Sequence, residues 1–151
     1  MIHSRNGFTL IELMIVVALI AFLSMLAVPN LMKVLAKAKR SEAYLYLRTI
    51  AQAQKVHYAE YGAYTTTLNG KGGLGWRPEG AFNYTYGFPG TPEGVGHFVG
   101  ALKTPVSALS VGKIGDSTFI IAAAGRIYGE QLDILTINEQ GEIALVNDAL
   151  Q

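Results

Sequence analysis

The 151-residue chain contains no cysteine, which excludes disulfides, thiolate metal ligands and thiol nucleophiles together. It also lacks a charge surplus. Twelve Lys and Arg against eleven Asp and Glu leave a net charge of +1, too little to drive binding along a polyphosphate backbone, so no specific nucleic acid is expected as a partner. Charged side chains make up only 15% of the residues and hydrophobic ones 50%, a composition that excludes disorder. Glycine is missing altogether from Phe8 to Tyr61, and that stretch holds a single proline, Pro29. Sixteen of the 17 glycines and the other four prolines lie from Gly62 onward, so the chain changes character there.

The 20 residues from Leu13 to Met32 carry no charge, and only Ser24, Pro29 and Asn30 among them are not apolar. As a helix they are long enough to cross a hydrocarbon core of about 30 Å. A cleavable secretory signal would have a shorter apolar region ending in a small-x-small site, and no Ala-x-Ala occurs in this stretch. The 54 glycine-free residues, rich in Ala, Leu, Ile, Lys, Arg and Gln, read as one continuous helix, about 80 Å if unbroken, that Pro29 should bend. Lys33, Lys37, Lys39 and Arg40 mark the exit from lipid, either as a solvated helix face or as cations serving an assembled filament. Beyond them Ala43, Leu47, Ile50, Ala51 and Val56 recur at helical spacing, so this half is amphipathic, with Glu42, Arg48 and Lys55 expected to stay wet.

After Gly62 the signals are those of short strands and turns. Phe82, Tyr84, Tyr86 and Phe88 alternate with Asn83, Thr85 and Gly87, a period of two that predicts a strand with four aromatics on one face. Further candidates are 97–102, 118–124, 132–137 and 142–146, the last two joined by a hairpin loop over 138–141. The glycine-rich stretch from Gly62 to Gly80 reads as a helix-to-sheet loop. The expected fold class is α+β: one long N-terminal helix whose second half packs on a small antiparallel sheet of about four strands, because neither element can bury its apolar face alone.

At the start of the apolar block stand Arg5, Asn6, Gly7, Phe8, Thr9, Leu10, Ile11, Glu12, Leu13 and Met14. This run resembles the class III leader of type IV prepilins and the related pseudopilins, in which a short basic leader ends in Gly and is cut before Phe. The family pattern asks for Gly, an aromatic, a glutamate four residues further on and then an unbroken apolar run, and Gly7, Phe8, Glu12 and the residues from Leu13 meet each clause. Pro29 falls where the family commonly has proline, and Tyr61-Gly62-Ala63-Tyr64 is similar to its helix-ending segment. The resemblance implies a pilin-like layout: leader 1–7, transmembrane and filament-core helix 8–32, amphipathic helix half 33–61, and globular antiparallel-sheet head 62–151. It implies leader cleavage between Gly7 and Phe8, N-methylation of Phe8, and subunit assembly through Phe8, Glu12 and Pro29. The implied partners are further copies of the chain and other pilins, a prepilin peptidase, an inner-membrane assembly platform with an ATPase, and membrane lipid before assembly. The implied location is a single-pass inner-membrane precursor with its C-terminal part outside the cytoplasm, then an extracellular pilus.

Physical chemistry gives Glu12 independent weight. A carboxylate at the edge of an uncharged span costs up to about 2.5–3.5 kcal/mol if carried to the bilayer centre, so it needs a partner or a wet end. Cleavage after Gly7 would create an amine on Phe8 one helical turn away, able to neutralise Glu12 in the same chain or a neighbour. One rule points the other way on orientation. Only Arg5 precedes the span while four cations follow it, so the positive-inside rule alone would leave the C-terminal part in the cytoplasm. The prepilin pattern is the more specific signal, and its orientation is the one adopted.

No other motif carries chemistry. Gly70, Gly72 and Gly75 spell GxGxxG but follow a helix and lead into Trp76, Arg77 and Pro78, so no helix N-terminus is offered to a phosphate. His57 and Glu60 are one turn apart without further ligands nearby, so no metal or cofactor is expected. There is no GxSxG, HExxH or carboxylate pair in an evident helical or strand setting, and a non-enzymatic, structural role is expected. Tyr44, Tyr46, Tyr58, Tyr61 and Tyr64 read as helix-to-sheet packing, and the Asn83-Tyr84-Thr85 sequon lies in the best strand. Many pilins close a C-terminal loop with a disulfide; without cysteine, the hairpin over 132–146 is expected to hold that end. The alternatives are a periplasmic type II secretion pseudopilin and a single-pass anchor holding an unrelated domain. Asp133 and Asp148 stand isolated in sequence, so the acidic calcium loop of major pseudopilins is not seen.

Overall fold

The computed structural model describes residues 8–151. Helix α1 runs from Leu10 to Tyr61, as the absence of glycine foretold, and Pro29 lies inside it without ending it. The helix stops at Gly62, the first glycine after Gly7. Gly62 adopts φ +71° and its N–H bonds the Tyr58 carbonyl at 2.8 Å, the left-handed cap that glycine adopts at no steric cost. The chain divides into two compact units between Leu35 and Ala36.

In the first unit every large apolar side chain from Phe8 to Leu35 is between 43% and 77% exposed. The second unit, the head, has an ordinary core. Its helix face of Ala36, Ala43, Leu47, Ile50 and Ala51 is buried against the sheet side formed by Tyr84, Tyr86, Ile121, Ala123, Leu135 and Ile137. Four of the five apolar positions expected on that face are buried; Val56, 59% exposed, turns away from it.

The strands are β1 (Thr85–Gly87), β2 (His97–Phe98), β3 (Lys113–Ile114), β4 (Phe119–Tyr128), β5 (Gln131–Asn138) and β6 (Ile143–Asn147). They form one antiparallel sheet in the order β2-β1-β4-β5-β6, with β3 also on β4. The α+β class holds, with six strands rather than about four. The long strand expected over 82–88 is regular only at Thr85–Gly87, although Tyr84, Tyr86 and Phe88 are buried. The predicted 97–102 strand keeps two residues because the chain turns at Gly100–Lys103, where Ala101 and Leu102 bond Phe82 and Asn83 instead of extending the ladder. β4 outruns its expected end by four residues. A register shift lies inside the strand between Gly125 and Tyr128, and a Cβ on Gly125 would sit 3.0 Å from the Tyr84 ring.

β4 is buried on both faces, which explains its run of small residues. Ile121 and Ala123 face the helix, while Ala122 and Ala124 pack under the 3-10 turn Val106–Leu109. A hairpin loop joins β5 to β6 as expected, with Gly141 N–H on the Asn138 carbonyl at 3.0 Å.

Candidate functional site

Among the residues singled out in sequence, Gly7 lies outside the described residues, whereas Phe8, Glu12 and Pro29 are described. Phe8 precedes the helix and is 77% exposed. Glu12 sits in the first turn, and its Oε2 accepts from both the backbone N–H and the hydroxyl of Thr9, each at 2.8 Å. The Glu12 N–H in turn reaches Thr9 Oγ1 at 3.3 Å. This reciprocal pair is a capping box, which satisfies orphan donors at the helix start and gives Glu12 a partner within its own chain. Thr9 was the residue that sequence reasoning missed. The signal was present, because Thr-x-x-Glu before an apolar run is a legible helix start. Pro29 lies on the exposed surface of the same segment.

Among the described residues, one helix is long and apolar enough to cross a membrane. With its apolar residues uncovered, the segment can be stable only in lipid or among other apolar helices.

The head is held by polar clusters that connect distant parts of the chain. Asp133 on β5 is fully buried, and its Oδ2 accepts from Arg40 Nε at 3.0 Å and Tyr84 OH at 2.6 Å. Its Oδ1 accepts from Arg40 Nη2 and from the Ala149 N–H at 3.1 Å, and Arg40 also pairs with Asp148. Arg40 was expected on a solvated helix face, and Asp133 and Asp148 stood isolated in sequence. Folding brings all three together and ties α1, β5 and the last residues of the chain into one knot.

The electrostatics follow from these contacts. Burial alone would lower the Arg40 pKa, but its bonds to Asp133 and Asp148 outweigh that and raise it. The Arg40 bond holds the Asp148 carboxyl below its usual value, while burial and then Asp133 push the Tyr84 phenol up. Asp133 accepts hydrogen bonds on both oxygens, so its burial leaves no lone carboxylate oxygen without a partner.

Glu42, expected to stay wet, is half-buried instead. It accepts from Asn83 N–H at 2.8 Å, Asn83 Nδ2 at 2.6 Å and Tyr86 OH at 3.0 Å, which also engages the side chain of the sequon asparagine. Buried Gln54 clasps the loop after the helix, donating to Thr65 O at 2.6 Å and accepting from Thr65 N–H at 3.1 Å. His57 lies 2.8 Å from the Ala63 carbonyl, and no cluster of metal-ligating side chains occurs among the described residues. Gly70, Gly72 and Gly75 lie in a loop whose backbone bonds itself, with Leu74 N–H on Thr67 O at 3.0 Å. The tyrosines pack only in part: Tyr46 lies edge-on to Tyr86 at 5.4 Å, Tyr58 on Tyr64 at 4.6 Å and Tyr64 edge-on to Phe119 at 4.8 Å, whereas Tyr44 and Tyr61 are exposed.

Residues 2–28 match the prokaryotic N-terminal methylation motif. The chain is 37% identical over 126 residues to the type IV major pilin protein PilA of Myxococcus xanthus, covering 83% of this chain and 56% of that protein. It is 34% identical over 64 residues to the type IV wide pilus major component PilA4 of Thermus thermophilus, covering 42% of this chain and 49% of that one. The chain thus spans about half the length of the relatives it matches.

Proposed function

Because the chain belongs to the type IV pilin family, we propose that it is a structural, non-enzymatic subunit of a bacterial type IV pilus, held in the membrane as a precursor and polymerised through its N-terminal helix. The observation that carries this reading is the uncovered apolar stretch of α1 from Leu10 to Leu35, most of which lies within the methylation motif and which leads into a head with its own core. Two relatives named as pilus components favour a pilus over a secretion pseudopilus.

Solvent energetics supply the mechanism. Moving some 15 apolar side chains from lipid into water would cost about 1.5–3 kcal/mol each, a sum that no spontaneous release supplies. Moving them into a bundle of like helices costs far less, because lipid and helix bundle are similarly apolar. Packing then tips a nearly balanced exchange, and an ATPase on an inner-membrane platform can drive it in either direction, giving extension and retraction. A prepilin peptidase cuts between Gly7 and Phe8 and methylates the new Phe8 amine. Glu12, already oriented by Thr9, pairs with the Phe8 amine of its own chain or of a neighbour during docking. The head lies outside the cytoplasm before assembly and on the filament surface after it.

The test is Glu12→Ala. On this reading the leader is still removed while the yield of sheared filaments falls at least tenfold; an unchanged yield removes Glu12 from assembly. Replacement of Gly7 by a bulky residue should leave full-length precursor in the membrane, and normal maturation would relocate the cut.

A further inference from the structure

A polymerising helix leaves one feature of the head without a role. Between α1 and the loop that follows it lies an open cleft of about 550 Å³, within the size range of ligand sites. Tyr46 and Trp76 form a corner in it, with ring centroids 6.0 Å apart and planes at 82°. Both rings are fixed by their polar atoms. Trp76 Nε1–H donates to Thr49 Oγ1 at 2.9 Å, and Tyr46 OH donates to the Glu79 carbonyl at 2.8 Å. Trp76 is further wedged edge-on by Tyr86 and Phe98 at 6.3 and 5.8 Å. With those donors already used, the two rings present carbon surface to the cleft and lose little rotamer freedom when something is bound.

Leu45, 61% exposed, and Thr49 also line the cleft and extend its apolar side, while its two charged side chains set the polarity. Arg77 and Glu79 are exposed, and among the described residues neither side chain has a hydrogen bond or an ion pair. A guanidinium and a carboxylate therefore border one aromatic corner. An anionic ligand would meet Glu79, a cationic one would meet Arg77, and a wholly apolar one would desolvate both without replacing their water. The chemistry that suits all four groups is a neutral ring with an apolar C–H face and hydroxyls that both donate and accept. We propose that the Tyr46–Trp76 cleft binds a neutral hexopyranose unit of an oligosaccharide or polysaccharide, its C–H face on the aromatic corner, its hydroxyls donating to Glu79 and accepting from Arg77.

Trp76 is the single tryptophan of the chain, so tryptophan emission reports on the surroundings of this one ring. The experiment titrates the full-length protein, dispersed as subunits in a polyoxyethylene detergent free of sugar headgroups, with neutral tetrasaccharides of glucose, galactose, mannose and N-acetylglucosamine. The subunits need not polymerise, so failure of the pilus reading leaves this test intact. The expected result is a saturable emission shift with at least one sugar, at millimolar concentration, weakened at least fivefold in Arg77→Gln with Glu79→Gln and absent in Tyr46→Ala. Far-ultraviolet circular dichroism checks that each variant folds, and the exposed rim double variant serves if Tyr46→Ala does not. Two outcomes overturn the proposal: no shift with any of the four sugars, or an identical shift in the rim double variant.

Discussion

The helix up to Leu35 and the head from Ala36 onward resolve the burial of apolar surface in opposite ways. In the first, side chains such as Leu13, Phe22 and Met25 are all more than half exposed, so stability must come from lipid or other helices. In the second, Leu47, Ile50, Tyr84, Tyr86 and Leu135 are fully buried, and directional polar contacts pin helix to sheet. The difference teaches what each segment is for. A surface that changes environment must remain unpartnered within its own chain, whereas a domain carried through that exchange must be closed on itself. Leu47 and Ile50 interlock with the sheet, and the forked contact from Arg40 to Asp133 adds a directional constraint on the register of α1 where the face narrows to Ala36 and Ala43.

The contrast can be broken most severely at Asp133. Arg40→Ala leaves that carboxylate buried and uncompensated, and the expected loss is about 3–5 kcal/mol in the chemical unfolding of detergent-solubilised full-length protein. Ile50→Ala opens the core and should cost about 2–5 kcal/mol in the same assay. Gly125→Ala forces a methyl to within 3.0 Å of the Tyr84 ring, an overpacking cost of about 1–3 kcal/mol. Leu19→Ala, in the exposed segment, should leave head unfolding within about 0.5 kcal/mol of the parent while lowering filament yield, and equal losses of head stability in Leu19→Ala and Ile50→Ala would erase the distinction.

Titration sharpens the same contrast more gently. Asp148 has its pKa held below the ordinary 3.8 by Arg40, so its contribution is present above that value and is lost as pH falls through the lower folded value. Tyr84 and Tyr86 are raised above 10.0, by burial first and then by Asp133 and Glu42 respectively, so their contributions are present below pH 10 and lost as pH rises past it. Thermal unfolding of the head should therefore be flat through the neutral range and weaken at both extremes. A loss confined to neutral pH would contradict the knot as drawn.

Legibility followed the range of the signal. The helix, its glycine stop, the apolar block and the motif around Gly7, Phe8 and Glu12 are written in neighbouring residues, and all but Gly7, which lies outside the described residues, can be located in the structure. The capping role of Thr9 was equally local and could have been read. The Arg40 knot could not, because its partners lie 93 and 108 residues away and nothing in the flanking sequence marks them. The strand over 82–88 misled for a different reason. Burial of Tyr84, Thr85, Tyr86, Gly87 and Phe88 covers both faces of β1, so the alternation of aromatics overstated the length of the ladder. Glu42 misled likewise, since a carboxylate on a helix reads as wet until the Asn83 and Tyr86 donors arrive from the sheet side.

The measurement closest to the central claim is mass spectrometry of the N-terminal peptide from sheared surface filaments and from washed inner membrane. A pilus subunit predicts abundant peptide beginning at N-methylated Phe8 in the sheared fraction. An intact leader from Met1 through Gly7 in both fractions, with none of the chain in filaments, would contradict it and return the chain to a plain membrane-anchored head.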